Sequence, residues 1–377
     1  MKKKILIVSD TPTHPVIGGN RKCITDYSSL LRNAGYDVWL MLVNLGDIPQ
    51  SAIDATAAAW GDRFLYFAKK RSQLIYEKII TRLDPSWESR HVDFIYPCGL
   101  NKYIEETQKR ENFHGLIVNY IWLSRAALTS IPIRAIFTHD VFGNRSRRIE
   151  SVYAWRSYDV AQESKALQRF PHILAIQDIE AAYFRYLAPT AKVEAAYSPA
   201  KFIWHDITGN HDILFFSGGG ELNLNGLRQF LTDVWPIVHK AYPDSRLLIG
   251  GSICRQLKQP ELPDGVELKG MFDDASLFWR LGDVAINPVY SGTGLKIKTI
   301  EALANGKLTV VHPHSAEGLF EVHSSPLRIS DTPEGFAEAI LDAFNNPANI
   351  AMAREAAKEY ITRYNTHILS TYSSIFS

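Results

Sequence analysis

Two apolar patterns alternate along this chain. Residues 5–8, Ile-Leu-Ile-Val, form a short unbroken run that stops at Ser9 and Asp10, as a strand buried on both faces of a parallel sheet does. A loop rich in proline and glycine follows over residues 11–20, and then a stretch over 21–33 sets Ile24, Tyr27, Leu30 and Leu31 at helical spacing. Gly35 ends it, and residues 36–43 read as the next strand. This is a strand–helix–strand unit whose first loop lies where doubly wound sheets usually meet ligands. Further strands are expected at 115–118, 135–138 and 173–177, with helices at 162–169 and 178–186. Residues 60–98 break the alternation and are rich in aromatic and basic side chains, among them Arg63, Phe64, Tyr66, Phe67, Lys69, Lys70, Arg71 and Trp87.

A second alternation begins at Asp212. Strands are predicted at 213–216, 246–249, 266–268, 284–287 and 308–311, with helices at 225–238 and 298–304 and a tail helical throughout 333–376. The expected fold is therefore α/β, with two Rossmann-like doubly wound domains facing a cleft. Residues 1–195 form the first, 196–211 a linker, 212–350 the second, and 351–377 a terminal helix.

Composition narrows the function classes. The 377 residues are 46% hydrophobic and 21% charged with a net charge of +1, an ordinary globular balance that argues against a dedicated nucleic-acid binder. Three dispersed cysteines, Cys23, Cys98 and Cys254, fit neither a disulfide framework nor a zinc site and favour a reducing compartment. The first apolar run is too short for a signal core, and no stretch approaches the ~20 apolar residues of a membrane span, so a cytoplasmic location is expected, at most at the inner face of a membrane. The 60–98 segment has two readings. Its basic and aromatic residues suit anionic headgroups, but the plainer expectation is a surface helix with a buried aromatic face.

The most informative segment is residues 290–307, YSGTGLKIKTIEALANGK. Glycines that let backbone N–H groups approach an anion lead into a helix start, and Lys296 and Lys298 add full charges. Such a turn suits a diphosphate, and Glu301, one turn into the helix, suits ribose hydroxyls. Glycine-rich turns before helices are common, however, so spacing alone does not decide the matter.

This segment, followed by the strand 308–311 and His314-Ser315-Ala316-Glu317-Gly318, resembles the donor-binding signature of GT-B fold glycosyltransferases, most of all the retaining family 4. Residues 213–220, Asn225-Gly226-Leu227 and Trp235-Pro236 resemble the opening of that family's second domain, with Gly218 and Gly219 as donor-binding candidates. Gly270, Met271, Phe272, Asp273 and Asp274 stand where the family packs a loop on the nucleotide base. Gly18, Gly19, Asn20 and Arg21 match its first glycine-rich loop, and Thr138-His139-Asp140 the loop that brings a histidine to the donor sugar.

The resemblance implies roles. Gly292, Thr293, Gly294 and Leu295 would line the diphosphate with Lys296 and Lys298, and Glu301 would hold the ribose. His139 and Lys296 would be catalytic. Asn20, Arg21, Asp140 and Arg145 would be acceptor-side residues, although Asp140 reads equally well as a helix cap. The donor would be a UDP- or GDP-sugar and the acceptor a glycan, a lipid-linked molecule or a protein. No prosthetic group and no metal would be required. The last helix would cross back to the first domain.

Two departures stand out. The family's E-x7-E pattern places a carboxylate where this chain has Thr293. The basic residues it carries after the Gly220 loop are missing, so Lys296 and Lys298, or Arg145, would supply that charge. A sugar-nucleotide epimerase of the same architecture and a non-catalytic nucleotide-sugar-binding subunit are the rival readings. A nicotinamide dehydrogenase is disfavoured because neither domain has a G-x-G-x-x-G turn after its first strand.

Overall fold

A computed structural model describes residues 2–16, 19–148, 156–272, 274–292 and 296–377. The chain divides into two compact units, residues 1–199 with 367–377, and residues 200–366.

The first unit is built on a parallel seven-stranded sheet. Its strands are β1 (Lys4–Ser9), β2 (Asp37–Asn44), β3 (Phe64–Ala68), β4 (Gly115–Asn119), β5 (Ile133–Phe137), β6 (His172–Ala175) and β7 (Lys192–Ala195), in the order β3-β2-β1-β4-β5-β6-β7. Ile5 to Val8, Leu40 to Val43 and Leu116 to Val118 are fully buried, as their unbroken apolar runs require. The end of the last helix, Pro347–Phe376, belongs to this unit, where Tyr372 stacks on Tyr27 at 5.9 Å.

The second unit carries β8 (Asp212–Phe216), β9 (Arg246–Gly250), β10 (Val266–Gly270), β11 (Val284–Asn287), β12 (Leu308–Val311) and β13 (Arg328–Ile329), all parallel, in the order β10-β9-β8-β11-β12-β13. Its core joins the inward faces of these strands to Leu227, Phe230, Trp235, Phe336 and Ile340. In both sheets the strand order reverses beside the first strand, between β1 and β4 and between β8 and β11. A crevice opens at the carboxyl ends of such strand pairs.

Three expectations need correction. Residues 60–98 do contain a strand, β3, an edge strand whose side chains are part-buried or exposed despite its apolar composition. The helix Arg71–Leu83 buries only Glu77 fully, so its aromatic face is not buried. The tail is not one helix: Pro333–Asn345 ends before Pro347 opens the next, as a proline at a first turn requires.

The helix Glu221–Gln229 passes so close to the β11 loop that a Cβ on Gly226 would stand 2.9 Å from Val289 Cα and 3.1 Å from the Pro288 carbonyl oxygen. Gly→Ala inside a helix ordinarily gains about 1 kcal/mol. Here backbone faces backbone, so Gly226→Ala is expected to destabilise the protein by about 1–3 kcal/mol in urea unfolding. A gain in stability would show that the helix and loop are not in contact.

Candidate functional site

The residues at the β8/β11 crevice of the second unit come from five separate stretches. After β8 the chain runs through Ser217, Gly218, Gly219 and Gly220 into the helix Glu221–Gln229. Gly251, at φ +95, lets β9 turn away beneath it, because a Cβ there would meet the Ser217 carbonyl oxygen at 2.3 Å. After β11 the chain reaches Gly292, at φ +134, and then the helix Ile297–Ala304. That helix is tied down from below. Asn287 Nδ2 donates to Thr299 Oγ1 at 2.9 Å, and the Thr299 hydroxyl donates to the Ser315 carbonyl at 2.9 Å.

This anchoring aims Lys298 back at the β8 loop. Its ammonium donates to Ser217 Oγ at 3.3 Å and to Asn223 Oδ1, so both partners are neutral oxygens. Burial first and the neighbouring Lys296 second bring its pKa down to about 8, and Glu301 opposes the shift. Glu301, half-buried, lies one helical turn on from Lys298, on the same face.

Lys296 caps the helix and donates to His314 Nε2 at 3.1 Å, while His314 Nδ1 faces Glu317 Oε2 at 3.2 Å. Burial and Lys296 hold the pKa of His314 below its ordinary value, so the imidazole is neutral and accepts from the lysine. The backbone of Gly292 bonds the same ring.

Other predicted donor residues fare unevenly. The Gly219 N–H is taken by Ser252 Oγ at 3.1 Å and its carbonyl by Gln256, so Gly219 is engaged within the fold. Gly218 accepts Asn223 Nδ2 at 2.9 Å. Gly270 takes φ +75, Met271 is exposed, and Phe272 packs edge-on against Phe278 at 5.4 Å. Gly18, Asp273, Thr293, Gly294 and Leu295 lie outside the described residues.

In the first unit the β1/β4 crevice is lined differently. Gly19 and Asn20 open the helix Gly19–Asn33, and Arg21 Nη1 donates to the Pro15 carbonyl at 3.1 Å. Tyr120 and His139, just past β4 and β5, both take positive φ, at 72° and 65°. Non-glycine residues hold that conformation only where packing imposes it. The His139 ring lies 4.5 Å from those of Tyr120 and Phe137, and its Nε2 donates to Asn119 Oδ1 at 2.6 Å. Nδ1 is buried without a hydrogen-bond partner. A hydrogen bond from His139 to a ligand therefore falls to Nδ1, as an acceptor.

Asp140 does not cap a helix. Its Oδ1 accepts from the next N–H, Val141, at 2.8 Å, and its Oδ2 pairs with Arg145 Nε at 2.9 Å.

Sequence reasoning missed several residues here. Glu163 grips this loop through the N–H groups of Phe142 at 2.7 Å and Gly143 at 2.9 Å. Asp10 accepts Trp122 Nε1 at 2.8 Å, keeps Oδ1 buried and unpartnered, and has its pKa raised by burial to about 6. Asn223 and Ser217 belong to the Lys298 site, but they stand 75 and 81 positions from it in the chain, and no local pattern marks them. His314 stood in a quoted motif without a role. Among the described residues no three His, Cys, Asp or Glu side chains are grouped to hold a metal ion.

Known proteins resemble the chain around this site. Residues 210–346 match the family model of glycosyl transferases group 1. The match lies wholly within the second unit and includes every residue around Lys298. An uncharacterized 44.6 kDa protein from the cps region of Klebsiella pneumoniae is 28% identical over 170 residues, 41% of this chain and 42% of that protein, so the chain aligns with under half of the relative's length. The fold extends over the whole chain. Sucrose-phosphate synthase from Thermosynechococcus elongatus superposes with a TM-score of 0.66 at 12% identity, covering 100% of this chain and 98% of that one. TarM does so with a TM-score of 0.69 at 12% identity, covering 100% and 99%. HepE from Anabaena in complex with UDP and glucose gives 0.63 at 13%, covering 99% and 98%. The α/β fold of paired Rossmann-like units is that of the GT-B glycosyltransferases.

Burial brings the pKa of His139 down to about 3, against 6.5 ordinarily. Its contribution to stability is therefore complete above pH 6.5 and is lost as the pH falls from 6.5 towards 3, because only the unfolded chain takes up the proton. The slope over that window is about 1.4 kcal/mol per pH unit. His139→Gln should flatten that part of the pH–stability curve in urea titrations. An unchanged slope would show that the ring already titrates in the folded protein.

Proposed function

We propose that this protein transfers a sugar from a nucleotide-diphosphate donor, UDP- or GDP-linked, to a glycan or lipid-linked acceptor. The observation that carries this reading is the Lys298 ammonium, desolvated beside a glycine loop and held only by neutral oxygens. Glu301 balances this cation only in part, and a diphosphate would complete the compensation.

In the transfer, the bond between the anomeric carbon and the diphosphate oxygen breaks while the acceptor oxygen bonds to that carbon and passes its proton to an oxygen of the departing diphosphate. Negative charge gathers on the departing diphosphate. Lys296 and Lys298 are held before the reaction and stabilise that charge. These cations make a metal unnecessary for the leaving group. The His314–Glu317 pair orients the Lys296 ammonium. His139, neutral, accepts from a sugar hydroxyl through Nδ1, and Glu301 takes the ribose hydroxyls. Retention at the anomeric carbon follows the family 4 resemblance.

The relatives agree with these choices at the level of ligand class. TarM has been solved with fondaparinux, α-GlcNAc-glycerol and UDP, and HepE with UDP-glucose. A hexosyl donor and a glycan acceptor in envelope polysaccharide assembly fit these and the cps-region relative. The same reading has the protein work in the cytoplasm.

Lys296→Ala should lower kcat/KM for donor turnover by ~100-fold or more, with the rate of the wild type unchanged by EDTA. Near wild-type kinetics in the variant would reject the role of Lys296, and loss of activity in EDTA would reject the metal-free route. Release of an epimerised nucleotide sugar without acceptor would favour the epimerase reading. Donor binding without turnover across an acceptor panel would favour a non-catalytic subunit.

A further inference from the structure

The helix Arg71–Leu83 in the first unit is turned inside out. Its acidic residue, Glu77, faces inward and accepts Lys69 Nζ at 2.8 and 3.0 Å, with Lys69 itself only 7% exposed. Gln73 Nε2 donates to the same carboxylate at 3.0 Å and to the Tyr96 carbonyl at 2.8 Å, while its Oε1 accepts the Cys98 N–H at 2.9 Å. The polar face of this helix thus fixes its rotation against the unit. The apolar face is left outside. Ile75 is 52% exposed, Tyr76 56%, Ile79 54% and Leu83 79%. Residues 75, 79 and 83 recur at one-turn spacing and form a single stripe, with Tyr76 beside it.

The charges around this stripe have one sign. Lys70, Arg71, Lys78 and Arg82 are all exposed, and the helix carries no outward acid. The acids just beyond it are engaged: Asp84 by Ser86 and Arg90, Glu88 by Arg156 and Tyr158. Aromatic rings extend the patch. Tyr76 meets Phe94 at 6.2 Å, and Trp87 meets Phe94 at 6.4 Å and stacks on His91 at 4.1 Å. An apolar stripe flanked by cations, with Tyr and Trp at its border, is the composition of a helix that lies in a bilayer interface. A protein partner or a second copy would need matching acids. A bilayer of anionic lipids supplies both the apolar layer and the negative phosphates.

We propose that the helix Arg71–Leu83 docks this protein on an anionic lipid surface. Ile75, Tyr76, Ile79 and Leu83 enter the boundary between headgroups and acyl chains, and Lys70, Arg71, Lys78 and Arg82 meet the lipid phosphates. The inward Lys69–Glu77 pair keeps the acid away from that surface. This docking stands apart from the transfer reaction and does not depend on it.

The test is co-sedimentation of the full chain with vesicles of phosphatidylcholine containing phosphatidylglycerol, and with phosphatidylcholine alone. The wild type should bind the anionic vesicles, and salt should weaken the binding. Ile75→Ser with Ile79→Ser should lower the bound fraction at least about tenfold, and Lys78→Glu with Arg82→Glu should do the same. Both pairs of side chains are exposed, so melting temperatures should stay at the wild-type value. The proposal falls if the wild type ignores anionic vesicles or if both variants bind them as it does. It falls equally if the serine variant breaks up a dimer seen by light scattering while vesicle binding is unchanged, since that face would then belong to a second copy.

Discussion

The second unit is organised around one constraint: a part-buried lysine ammonium whose hydrogen bonds go to neutral oxygens. Lys298 reaches Ser217 and Asn223 because three other contacts leave it no alternative. Asn287 and Thr299 pin its helix to the end of β11 and to Ser315. Gly226 lets the helix after β8 press on the β11 loop. Gly251 lets the chain after β9 pass under Ser217. A charge in that position lowers its own pKa and attracts whatever anion fits the loop. The match of residues 210–346 to the model of glycosyl transferases group 1 falls on the same elements that hold this ammonium.

The first unit repeats the strand order but reverses the chemistry. Its crevice holds a neutral histidine, His139, and a carboxyl with a raised pKa, Asp10, with backbone strain at Tyr120 and His139. These groups suit hydroxyls better than phosphates.

Legibility from the sequence followed burial. Central strands such as 5–8 and 213–215 announced themselves because both faces are covered and every residue is apolar. β3 did not, because its apolar run sits among basic residues and, as an edge strand, leaves Tyr66 exposed. The helix over 71–83 shows its period in the sequence, but periodicity cannot say which face turns inward, and Lys69 with Glu77 decided against the apolar one. At the site, Lys296 and Lys298 were visible beside their glycines. Their partners were not, because Asn223 and His314 reach them only through the fold. The charge missing after Gly220 was also legible, and the structure shows Lys298 delivering an ammonium to that loop from another element.

Titration calorimetry of UDP and GDP at pH 8, in buffers of differing ionisation enthalpy, tests this account most directly. Free Lys298 is about half protonated there, and a bound diphosphate restores the full charge, so binding should take up about half a proton. That uptake should vanish in Lys298→Met along with most of the affinity. Binding that ignores the buffer, or a methionine variant that binds as the wild type does, would contradict it.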